Sequence, residues 1–315
     1  SRGVTVRVAI EGNPRTGTVN SGVCKLLGDN GGLGRGLRII RHRLVDNRFF
    51  RTSRLHEKLY YFSHPEPSVL VGTFNPSGNR PEDPDIIRNI GDQDRGHNLL
   101  VDITDPSSPR MAYVNPNEMM YAASLPKIAI LLGAFEKIAA GEMTLDDETL
   151  EKLKLMIQRS SNAAASEMLN RVGIDYLAQL LQSPRYRLYD PEKNGGIWVG
   201  KEYGKAPARR RDPLHNLSHG ATAFQVARFY YLLETGQLVS PQLSELMKAI
   251  LAETEIEHKF VKGLKALQPD LSIYRKSGTW GPYHSDSAII EHNGRRYIAV
   301  ALAKSQHGEQ WLQNL

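Results

Sequence analysis

Apolar residues recur at helical spacing from residue 128 onward. Ile128, Leu131, Leu132, Phe135 and Ile138 lie on one face, and Gly141 follows as a stop. This predicts a helix opening within Ala122-Ala123-Ser124-Leu125-Pro126-Lys127. Pro126 suits its first turn, where a missing N–H costs nothing and the fixed φ helps. Leu150, Leu153, Met156 and Ile157 predict a second helix, with a capped start at Thr144-Leu145-Asp146-Asp147 and an end at Arg159-Ser160-Ser161-Asn162. Ala163 to Val172 reads as a third, stopped by Gly173, and Ile174 to Gln182 as a fourth, ending before Pro184. Thr222 caps a helix that runs to Glu234, and Ser240-Pro241 opens another that reaches about Leu251.

The β pattern lies on either side of these helices. Leu99 to Thr104 and Arg110 to Val114 form a hairpin around Asp105-Pro106-Ser107-Ser108-Pro109. Near the end, Ser272–Trp280, Ser287–His292 and Arg295–Leu302 read as three strands, the last two joined by the hairpin signal Asn293-Gly294. The order ββ, helices, βββ predicts an α+β domain with a five-stranded antiparallel sheet. That sheet closes only if the first and last strands are neighbours. Residues 184–220 show little period, and long irregular segments of this kind are usually functional.

Upstream, Val4–Ile10, Leu37–Ile40, Leu55–Phe62 and Val69–Asn75 read as strands, with a short helix over Val19 to Leu27. Residues 1–98 are therefore α/β in character, and the domain of residues 99–315 follows them. The polar, proline-containing stretch Pro81-Glu82-Asp83-Pro84-Asp85 is a candidate boundary. The chain opens inside a strand pattern without Met and is read as truncated at its N-terminus.

Composition narrows the chemistry. The 315 residues are 40% apolar and 23% charged, as in ordinary globular proteins. The single cysteine, Cys24, excludes an intramolecular disulfide, and no Cys/His spacing suits zinc. His215 and His219 are four apart without a third ligand and read as loop packing. No cofactor is expected, and no apolar run approaches the ~18 residues of a membrane span. The net charge of +6 is uneven: residues 1–60 hold 12 Lys and Arg against 4 Asp and Glu. Arg35, Arg38, Arg41, Arg43, Arg48, Arg51 and Arg54 crowd there. They read equally well as a solvated basic face or as a site for a phosphate-bearing partner; no nucleic acid is expected.

Ser124 and Lys127 share one face at the start of the first helix. An amine kept neutral by burial can take the serine proton, and N–H groups at a helix start can stabilise an oxyanion. Ser124-x-x-Lys127, Ser160-x-Asn162 and Lys276-Ser277-Gly278 follow in that order, at a helix start, between helices, and on a strand that begins a β-meander. Residues 99–315 thereby resemble the penicillin-recognising serine enzymes, closest to the class A β-lactamase-like group. The resemblance implies a sheet flanked by helices, with an all-helical subdomain. It implies that Ser124 is acylated, that Lys127 is its base or proton shuttle, and that Ser160 relays a proton to the leaving nitrogen. Asn162 would hold a substrate amide. Lys276 would attract the substrate carboxylate with Ser277 and Thr279 beside it, and Gly278 completes the substrate-binding strand. The N–H groups of Ser124 and Thr279 would form the oxyanion hole. The implied partner is a small β-lactam or a peptidoglycan peptide, and the implied location is extracytoplasmic. One departure stands out. The E-x-x-L-N run that positions a deacylating water is absent from residues 184–220, which offer Asp190, Glu192 and Glu202 instead.

In the N-terminal part, His56-x-Lys58 followed by Gly72-Thr73-Phe74-Asn75 resembles the second half of the phospholipase D superfamily. That implies a histidine nucleophile, with Lys58 and Asn75 on phosphate oxygens. The superfamily needs two such motifs, this sequence has one, and Ser63 stands where the motif has Asp. A join between fragments of two families is expected near Leu99–Pro106.

Overall fold

The computed structural model of the protein describes residues 6–11, 38–42, 58–62, 68–72 and 95–315, apart from 206. The chain divides into two compact units, Ser1–Asn89 and Ile90–Leu315. In the first, strands β1 (Val6–Glu11), β2 (Arg38–His42), β3 (Lys58–Phe62) and β4 (Ser68–Gly72) form a sheet in the order β2-β1-β3-β4. β1 and β2 are parallel, and the other two pairs are antiparallel. Lys58 opens β3. His56, Asn75 and the helix expected over Val19 to Leu27 lie outside the described residues.

The second unit begins with β5 (Arg95–Asp102), four residues earlier than the pattern predicts, and continues with β6 (Arg110–Val114) and β7 (Met120–Tyr121). Helices α1 (Lys127–Ala139), α2 (Asp147–Gln158), α3 (Asn162–Val172) and α4 (Ile174–Gln182) follow. The segment expected to be irregular carries four very short strands: β8 (Tyr189–Asp190), β9 (Gly195–Gly196), β10 (Trp198–Val199) and β11 (His219–Ala221). Then come α5 (Ala223–Glu234), α6 (Pro241–Leu251), α7 (Phe260–Leu267), β12 (Ser272–Trp280), β13 (Tyr283–His292), β14 (Arg295–Lys304) and α8 (Gly308–Asn314).

Local signals set most helix starts. Thr222 and Ser240 accept hydrogen bonds from the N–H groups of Gln225 and Leu243, as their positions predict. For α2 the cap is Asp146, which accepts from Thr149 N at 2.8 Å. Thr144 lies further upstream, and a charged acceptor is the stronger cap at a helix N-terminus. The sheet closes as its topology requires. β14 pairs antiparallel with β5, joining the two ends of the domain in the order β12-β13-β14-β5-β6.

Two apolar clusters hold this sheet. On one side Leu99, Val101, Ile289, Ile298 and Val300 pack with the buried residues of α1, α5 and α6. On the other, Ala288, Ile290, Ala301 and Ala303 pack with Phe260 of α7 and Leu312 of α8. The first nine residues of α1, Lys127 to Phe135, are all buried. That central helix anchors the residues just before it against the sheet.

Candidate active site

Ser124 sits in the turn leading into α1, partly buried, with Leu125 and Pro126 buried behind it. Lys127 N donates to Ser124 O at 3.2 Å, so the two residues share the tight first turn. Ala123, just before the serine, has φ 49°. A side chain seldom adopts this left-handed conformation, and such strain is characteristic of functional turns. β12 supports the turn from the sheet side. A Cβ on Gly278 would come within 2.4 Å of Ala122 O and 2.7 Å of Ser124 N, so only glycine allows this approach.

Lys127 is fully buried. Its Nζ donates to Ser160 O at 2.6 Å and to Asn162 Oδ1 at 2.8 Å, and it lies 3.3 Å from Ser160 Oγ. Lys276 Nζ donates to the same Ser160 hydroxyl at 2.9 Å and to Ser277 O at 2.7 Å. Ser160 thus stands between two buried lysines, at φ 56° in the corner joining α2 to α3. Ser161 caps α3 by accepting from Ala164 N, which makes Asn162 the first helical residue. Burial lowers the Lys127 pKa to about 7. Lys276 is held well below the usual lysine range, first by burial and then by the nearby Lys127.

The pleat pairs Lys276 with Ser287 and Gly278 with Ser285, while Ser277 pairs with Asp286 and Thr279 with His284. Ser277 is buried and Thr279 exposed. A residue that pattern reading missed organises this strand end. Lys259, fully buried, donates to Gly278 O at 2.7 Å, Thr279 Oγ1 at 2.7 Å and Ser285 O at 3.1 Å. Burial lowers its pKa to about 8. Behind it, Arg275 and Asp286 form a buried two-pronged ion pair, both bonds at 2.8 Å.

The loop of residues 184–220 places its carboxylates elsewhere. Asp190 pairs with Arg187 at 2.8 Å, and Glu192 is largely exposed. Glu202 lines a cleft with Leu169, Asn170 and Arg209. Asp212 is saturated by Tyr189 Oη and the N–H groups of Leu214, His215 and Leu217. Among the described residues no carboxylate pairs with Lys127. The Tyr203 ring covers it instead, 4.6 Å from Nζ to the ring centroid. His215 binds Asn194, whereas His219 Nε2 lies 3.2 Å from Lys201 O.

A family pattern described as the beta-lactamase enzyme family matches residues 84–152 and 149–314. The chain belongs to that family. The match begins at residue 84 and does not reach His56, Lys58 or Asn75. No curated protein matches the chain in sequence. Among solved structures, the beta-lactamase from Sphaerobacter thermophilus superposes with a TM-score of 0.59 at 18% identity, over 72% of this chain and 89% of that one. A PBP-A mutant, solved as an acyl-enzyme complex with penicillin G, gives 0.57 at 17% identity over 72% and 90%. An ancestral class A beta-lactamase gives 0.54 at 17% over 70% and 91%. These neighbours share the α+β fold of the second unit, with its five-stranded sheet and eight described helices.

Proposed function

We propose that the protein is a serine hydrolase that forms an acyl-enzyme on Ser124 with a β-lactam or a D-Ala-D-Ala-like amide. The observation that carries this reading is the Ser160 hydroxyl held between Lys276 and Lys127, the latter in the first turn after Ser124. Neutral Lys127 takes the Ser124 proton as Oγ bonds to the substrate carbonyl carbon, and the carbonyl oxygen becomes an oxyanion. The N–H groups of Ser124 and Thr279 receive that charge, each worth roughly 3 kcal/mol. The C–N bond then breaks. The leaving nitrogen takes the Ser160 hydroxyl proton, and Ser160 recovers it from the Lys127 ammonium. Asn162 binds the substrate amide, and Lys276 with the Thr279 end of β12 meets the carboxylate.

Release of the acyl group needs an activated water, and what lies over Lys127 is the Tyr203 ring rather than a carboxylate. This favours a long-lived acyl-enzyme, as in a penicillin-binding protein, over rapid turnover.

The test is a fluorescent penicillin followed by intact-mass analysis of the full chain. We expect one stoichiometric adduct that persists after excess ligand is removed and that is absent in Ser124→Ala. No adduct, or one that survives in Ser124→Ala, overturns the reading. Rapid loss of the adduct overturns only the long-lived form of it.

A further inference from the structure

Tyr203 is bound more firmly than its loop position requires. Its N–H donates to Ser166 Oγ on α3 at 3.0 Å, and that hydroxyl donates back to Tyr203 O at 3.2 Å. Its ring packs on His219 of β11, with centroids 4.2 Å apart. His219 is in turn tied to the nucleophile turn, since its carbonyl accepts from Ala122 N at 3.2 Å. The phenol is thus fixed from α3 and from β11 while its ring covers Lys127.

The hydroxyl gains nothing from this placement. Tyr203 Oη and His219 Nδ1 are both buried without a hydrogen-bond partner. An unpaired buried hydroxyl is a net cost to the fold. The position therefore uses the ring.

We propose that Tyr203, seated on His219, is a positioning residue that keeps Lys127 in its proton-accepting form by closing it off from water. The proposal deepens the acyl-enzyme reading and rests on it for its catalytic meaning. The groups facing Lys127 are Lys276 from β12, Ser160 and Asn162 from the α2–α3 corner, and Tyr203 with His219 behind it. None of them is an anion. Two effects of the ring oppose each other. Its π face attracts an ammonium ion. Removing that ion's water disfavours it by more, because a buried charge with no anion beside it goes uncompensated. The second effect prevails, in line with a Lys127 pKa lowered to about 7 by burial. His219, lowered to about 4 by burial, is an uncharged imidazole at neutral pH and adds no charge to the site.

The test follows the Lys127 side chain directly, by NMR of protein carrying 13C,15N-lysine, with the resonance assigned by its loss in Lys127→Met. Tyr203→Ala admits water and Tyr203→Glu supplies an anion. Each should raise the Lys127 titration midpoint by about one pH unit or more, while Tyr203→Phe keeps the parent midpoint. The pH profile of penicillin labelling should move with the titration. Unmoved midpoints in folded Ala and Glu variants, or a shift in Phe as large as in Ala, overturn the proposal. If Tyr203→Ala fails to fold by circular dichroism, Tyr203→Ser, which also admits water without adding a charge, is compared with Phe and decides. A moved titration without any penicillin adduct in the parent sinks the acyl-enzyme reading and leaves the shielding role standing. Labelling with an unmoved titration does the reverse.

Discussion

Lys276 Nζ donates to the Ser160 hydroxyl at 2.9 Å across 116 positions of sequence. Lys127 approaches the same oxygen at 3.3 Å from another element. Two cationic side chains that share one hydroxyl disfavour each other's charge, and burial disfavours both. In the proposed mechanism Ser160 is therefore the point where protons pass between Ser124, Lys127 and the leaving group. Its positive φ fixes the hydroxyl there.

Removing that hydroxyl should slow acylation by about 10²–10⁴-fold, the usual contribution of a placed acid–base group. Ser160→Ala keeps the parent's Cβ at φ 56° and Ser160→Gly relieves that strain, so agreement between the two separates the chemistry from the backbone. Stopped-flow labelling with a fluorescent penicillin should show similar losses in both variants, with the glycine variant keeping more of the parent's thermal stability.

Lys127 makes a pH prediction with two signs. As a base it must be neutral, so acylation should rise about tenfold per pH unit below about 7 and level off above it. Stability follows the same group. Its folded pKa lies below its ordinary value of 10.5, so between about 7 and 10.5 the unfolded chain binds the extra proton. Its stabilising contribution is present above 10.5 and is lost as pH falls towards 7. Lys127→Met removes this linkage. Relative to the parent, the variant should therefore be more stable at about pH 6 than at about pH 9.5, by a few kcal/mol at most. Urea unfolding at the two pH values measures that difference.

The sheet and most of the helices could be read from local chemistry. Pro126, Thr222 and Ser240-Pro241 mark helix starts because caps act within one turn, and Asn293-Gly294 marks a hairpin because its turn requires positive φ. Ser124, Lys127, Ser160, Asn162 and Lys276 were legible because each lies in a short motif on a regular element or at its edge. Tyr203 and His219 were not. They lie in a segment whose strands are two or three residues long, too short for alternation to show, and their contacts with Lys127 and Ala122 span the domain. Lys259 escaped for a similar reason. It precedes an eight-residue helix and bonds to a strand that only tertiary packing brings near.

The Arg275–Asp286 pair should matter chiefly to stability. Both side chains are essentially without solvent contact. Asp286 also accepts from Phe260 N at 3.1 Å and Ser287 N at 3.0 Å. Asp286→Ala strips the buried guanidinium of its counter-ion, leaving it only the carbonyls of Ile256 and His258, removes the acceptor of two N–H groups, and should cost about 3–5 kcal/mol. Replacing both members by apolar residues should recover part of that loss, and denaturant unfolding of the single and double variants tests the ordering.

Gly278→Ala separates attack geometry from folding. The new methyl would meet backbone atoms of Ala122 and Ser124 at 2.4 and 2.7 Å, distances no Cβ tolerates, and backbone cannot rotate away as a side chain can. The contact with Ser285 Oγ, also at 2.7 Å, is the softer one. β12 must therefore withdraw from the nucleophile turn, taking Thr279 N–H and Lys276 with it. The strand keeps its full ladder to β13, so the domain should remain folded. On the proposed mechanism Thr279 N–H is an oxyanion donor, and losing its alignment slows acyl transfer by about 10²–10³-fold, with displacement of Lys276 adding to this. We expect at least that loss in penicillin labelling, together with a far-ultraviolet dichroism spectrum like the parent's. Near-parent labelling by a folded Gly278→Ala would show that β12 does not form the wall of the oxyanion site.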